Sequence, residues 1–70
     1  GFAAHVKPLF RAKDRQAMRF AIDLWYYDDV SRQDNAILDS VRAGTMPCDG
    51  AWPPEKVDVF ERWIAAGTPP

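Results

Sequence analysis

The sequence predicts an all-α domain, and three observations carry that expectation. Apolar residues recur at helical spacing, in Phe2, Val6, Leu9 and Phe10 and again in Val57, Phe60 and Ile64. Helix punctuation stands at the edges of such runs: Gly44 and Gly67 follow two of them, and Pro53-Pro54 precedes the last. The one stretch with an extended look, Trp25 to Tyr27, has no partner strand.

Taken in order, the first helix is predicted over Ala4 to Phe10, with a bent start because Pro8 lies inside the run. His5 falls near its beginning. Arg11 to Lys13 is a polar break. Asp14 is expected to cap a second short helix from about Arg15 to Phe20 or Ile22, with Met18, Ala21 and Ile22 on its apolar side. Asp23 to Asp29 reads as a packed aromatic and acidic loop. Asp28 or Asp29 then caps a longer helix to Arg42, or Ser31 followed by Asp34 sets the cap later. Val30, Ile37, Leu38 and Val41, with Asp34 or Asn35, mark its inner side.

Gly44 suits the left-handed position just past that helix. A loop follows, with turns expected at Pro47 and Asp49-Gly50. The last helix opens at Pro53-Pro54, where the missing donor would be unpaired anyway, and Glu55 favours its positive end. Val57, Phe60 and Ile64 face inward with Trp63 beside them, Gly67 ends the helix and Pro69-Pro70 cannot continue it.

Seventy residues make a single small domain, which hides only about 60% of its unfolded surface. Three Trp, two Tyr and four Phe compensate, since each ring buries on the order of 150–250 Å². The net charge is −1, with the signs mixed, so nucleic acid is not an expected partner. Lys7, Arg11, Lys13, Arg15 and Arg19 lie in the first third and the acids gather in the middle, an asymmetry that steers a partner or pairs internally. No apolar run approaches the roughly 20 residues of a membrane span, and the sequence shows no signal-peptide pattern, so a cytoplasmic location is expected. A chain opening on Gly rather than Met is expected to be processed or to be a piece or subunit of a larger protein.

Chemistry-bearing residues are few. Cys48 has no disulfide partner, and no zinc or EF-hand spacing is present, so no metal site is expected. A soft-metal set would join Cys48, Met46 and His5, and a nucleophilic Cys48 would need His5 as its base; neither has a recognised spacing. No enzymatic activity is expected.

Gly44-Thr45-Met46-Pro47, a turn, and a helix ending Trp63-Ile64-Ala65-Ala66-Gly67 together resemble the C-terminal half of a class I cytochrome c. In that family the methionine of a Gly-x-Met-Pro loop is the second axial ligand of the haem iron, and the closing helix commonly ends Trp-Ile-x-x-Gly. Val6-Lys7-Pro8-Leu9-Phe10 resembles the helix preceding the family's Cys-x-x-Cys-His motif. In that register Asp14 and Ala17 stand at the cysteines and Met18 at the histidine. The resemblance spans nearly the whole chain, with its most specific motif absent.

It implies a small cytochrome c-like bundle of three to four helices with a long Met-Pro loop before the last. It also implies that no haem is attached covalently, since no thioether bonds can form. The expectation is a haem-free accessory or protein-interaction domain without a cofactor, bound to a larger protein or enzyme subunit. Trp25, Tyr26, Tyr27 and Trp52 are its candidate interaction residues, since aromatics with a polar tip suit interfaces. Some of the rings are expected to fill the space of a porphyrin. The alternative is a non-covalent haem with Met46 and Met18 as axial ligands.

Overall fold

Pro8 decides how the chain starts. In the computed structural model, which describes residues 1–46 and 50–70, Phe2–Val6 winds as a wide π-helical turn and Lys7–Leu9 as a tight 3-10 turn. Pro8 has no N–H and its ring crowds the carbonyl four residues back, so a regular α-helix cannot run through it. Instead the Lys7 N–H reaches back five residues to the Phe2 carbonyl. The winding therefore begins before the expected Ala4 and stops at Leu9. Phe10 is extended, at φ −99° and ψ 124°, which turns its ring into the core.

Helix α1 spans Ala12–Met18. Asp14 is not its first cap but its third residue. Its carboxylate accepts the Arg11 backbone N–H at 2.9 Å and the Arg11 guanidinium at 2.7 Å. That reach back by three residues satisfies a free donor at the helix start, so the helix opens earlier than predicted. It also closes earlier, because the Ala21 and Ile22 N–H groups both turn back to the Met18 carbonyl at 2.9 Å. In the aromatic loop Tyr26 is extended, at φ −105° and ψ 119°, and Tyr27 already opens the next helix.

The single long helix expected after Asp28 is two, α2 at Tyr27–Arg32 and α3 at Asp34–Ala43. They meet at Gln33, which sits at φ −107° and ψ 20°. Side chains compete with the backbone there: Ser31 Oγ and Arg32 Nε both donate to the Asp28 carbonyl, and Asp34 accepts from the Asn35 N–H. Ile37, Leu38 and Val41 on α3 are buried as their spacing predicts. Gly44 ends α3 in the left-handed region at φ 77°, the conformation glycine adopts without a Cβ penalty.

Helix α4 spans Pro54–Ala65 with proline in its first turn, as expected, and packs against α3 and the N-terminal turns. Beyond it Gly67 takes φ 93°, and the reversed tail is tied down from the core side. Trp63 Nε1 donates to the Pro69 carbonyl at 2.8 Å, and the Tyr27 hydroxyl donates to the Thr68 carbonyl at 2.5 Å.

The architecture is all-helical, with no strand among the described residues. The centre is a run of rings: Phe2 and Tyr27 against Trp63, Trp63 stacked on Phe60 at 5.7 Å, and Phe60 edge-on to Phe10 and Trp52. Leu24, Val30 and the inner face of α3 complete this core. The expected turns at Pro47 and Asp49 lie outside the described residues.

Candidate functional site

The two methionines, 28 positions apart in the chain, converge. Met18 closes α1, and Met46 follows the left-handed turn at Gly44, whose Ser40 carbonyl also accepts the Met46 N–H at 3.3 Å. Together with Ala21, Ile22, Gln33, Ala36, Ile37 and Ser40 they line one groove of about 150 Å³. Its walls are apolar apart from the Gln33 amide and the Ser40 hydroxyl. Pockets for ligands of ordinary size measure about 300–1,000 Å³, so this groove is smaller than most. A volume of about 150 Å³ suits one small apolar group, such as a benzene ring.

A second arrangement is polar and surrounds Trp25. Arg15, from α1, holds Asp23 by two hydrogen bonds of 2.8 and 2.9 Å and lays its guanidinium over the Trp25 ring at 4.8 Å. Lys7 approaches the same ring at 5.6 Å, close enough for cation–π attraction. The indole N–H donates to the Phe10 carbonyl at 3.0 Å. Asp23 also accepts the Trp25 N–H, while its own N–H donates to Asp29, whose carboxylate accepts from Arg32. The basic first third thus pairs internally with the acidic middle at this point.

Arg15 foremost, and then the Trp25 N–H, hold the Asp23 carboxyl well below the usual carboxylate range. The charged form is favoured on folding, so its contribution to stability is fully present above the unfolded value of about 3.9 and is lost as pH falls toward the folded value. Acid titration of unfolding is expected to show stability falling below about pH 4, with a shallower fall in Asp23→Asn. Equal slopes in the two proteins would rule this linkage out.

The sequence-predicted interaction residues separate. Tyr26 is exposed at 55%, and Trp25 is half-buried under its two cations. Tyr27 is half-buried against Phe2 and Trp63. Trp52 is a core residue, 7% exposed, packed on Phe10 and Phe60 with Lys56 over its ring. His5 is exposed and sits on a different hollow from Met46, beside Val59, Arg62, Trp63, Ala66 and Pro69. Cys48 and its soft-metal and nucleophile readings lie outside the described residues. Among the described residues no group of three or more His, Cys, Asp or Glu is placed to hold a metal ion. Among them, too, no helix is long and apolar enough to cross a membrane.

Phe20 was not singled out by its sequence neighbourhood, yet it is the most exposed large apolar side chain, at 87%. A signal was present. Met18, Ala21 and Ile22 are the residues that the sequence assigns to the apolar side of that stretch, and Phe20 is not among them.

Comparison with protein-family models, with curated proteins and with solved structures returns no match to this chain.

Proposed function

We propose that the chain is a haem-free interaction domain of cytochrome c-like design that works docked on a larger protein and catalyses nothing itself. The observation that carries this reading is the Met18–Met46 groove. Side chains at the two positions where the resembled family keeps its axial ligands share one apolar groove, and its volume of about 150 Å³ is too small for the macrocycle. The interior is occupied by the chain's own rings, Phe10, Trp52, Phe60 and Trp63. Tyr26, exposed beside the cation-flanked Trp25, offers an aromatic ring with a polar tip, the kind of side chain enriched at interfaces.

The convergence of two thioethers also favours a second reading, a non-covalent haem between Met46 and Met18. It would require the groove to widen severalfold. Haemin titration separates the two. A colourless protein with no Soret shift at micromolar haemin is expected. A saturable Soret shift that is lost in Met46→Ala would establish the second reading instead. The docking half is tested by a photo-crosslinking amino acid at position 26 in cells making the whole protein. Capture of one larger protein from position 26, and not from the exposed control position Glu55, is expected. Equal capture from both would remove Tyr26 from any interface.

A further inference from the structure

We infer that the chain self-associates as a two-fold dimer in which Phe20 of each copy seats in the Met18–Met46 groove of the other. Among the described residues Phe20 joins no ring contact, and it is close in the chain to the groove. Phe20 is 87% exposed, and the residues that follow it, Ala21 and Ile22, form part of the groove wall. Phe20 itself does not line the groove.

The sizes agree: a space of about 150 Å³ with apolar walls takes one benzene-sized group. The placement suits a closed dimer, because a two-fold contact requires each surface to carry both halves of the match. Phe20 adjoins the groove residues Ala21 and Ile22 in the chain, so a two-fold arrangement that seats both rings leaves no open end to propagate.

Charge agrees as well. Arg19 flanks Phe20, and Asp39 flanks the groove residue Ser40. Among the described residues Asp39 belongs to no ion pair, and Arg19 makes no salt bridge although its charge acts on Asp23. Exchange of the rings carries each Arg19 toward the partner copy's Asp39. Two rings of on the order of 150–250 Å² each, with the groove surface they cover, place the contact at the small end of specific interfaces, so the dimer is weak and concentration-dependent. This inference stands apart from docking through Tyr26 and does not rest on it.

The test is sedimentation equilibrium of the purified chain from about 10 µM to about 1 mM, the span over which an interface of this size is populated. A monomer–dimer equilibrium is expected. It should weaken at least about tenfold in Phe20→Ser, which removes the ring, and in Ala36→Phe, which fills the groove from its wall. Far-UV circular dichroism checks that both variants keep their helices. In a half-labelled sample of the native chain, intermolecular NOEs are expected between Phe20 ring protons and the methyls of Met18, Ile37 and Met46. A native chain that stays monomeric throughout would overturn the proposal and leave ring and groove to a different protein. A dimer equally strong in both variants, or lacking those NOEs, would overturn it too.

Discussion

Phe60→Ala is expected to cost about 3–5 kcal/mol, the range for removing a fully buried ring. Phe60 is 0% exposed and is the shared neighbour of three other rings, stacked on Trp63 and edge-on to Phe10 and Trp52. Its loss opens a cavity where the N-terminal turns, the segment before α4 and α4 itself meet. A domain of this length has roughly 3.5–10 kcal/mol of stability in all, so the variant keeps little of it. Urea unfolding at 25 °C gives the value directly. Phe60→Leu, which keeps most of the volume, should cost only on the order of 1–2 kcal/mol. A loss below about 1 kcal/mol in Phe60→Ala would mean that this cluster is not the centre of the core.

Trp52→Ala is the second large effect, at about 3–4 kcal/mol. The ring lies 5.3 Å from Phe10 and 6.2 Å from Phe60, and the Lys56 ammonium covers it at 4.8 Å. Thermal unfolding reads the change, since each kcal/mol moves the midpoint by roughly 4–8 °C in a domain of this size. Tyr26→Ala, at an exposed position, should stay within about 0.5 kcal/mol of the native chain. The contrast separates two aromatics that composition treats alike, one a structural residue and the other available to a partner. Because Trp52 and Phe60 touch, their double variant should cost less than the two single losses added together.

Much of the helical framework was legible locally. The inner faces of α3 and α4 follow from Ile37, Leu38, Val41 and Phe60 at helical spacing. Gly44 and Pro53-Pro54 stand where their backbone geometry demands a helix end and a helix start. The misreadings occurred where side chains bond to the backbone. Asp14 reaches back to Arg11 from the third helical position rather than capping from the first. Ser31, Arg32 and Asp34 break what periodicity alone reads as one helix. Such bonds depend on rotamers and competing acceptors, which a hydrophobic pattern does not encode.

The candidate site was legible only in part. Met18 and Met46 were identifiable as a pair through the family they resemble, but their groove exists only because the turn after α1 and the left-handed exit from α3 bring them together. By itself the sequence determined the all-helical class, the buried faces of α3 and α4 and where those helices meet glycine or proline. These are short-range properties, set by a 3.6-residue period and by the φ angles that glycine and proline allow. The tertiary structure alone decided that Trp52 is enclosed while Phe20 and Tyr26 face outward, and that Met18 and Met46 share a groove of about 150 Å³. Burial and cavity size are set by residues distant in the chain competing for the same space, and no local pattern carries that information.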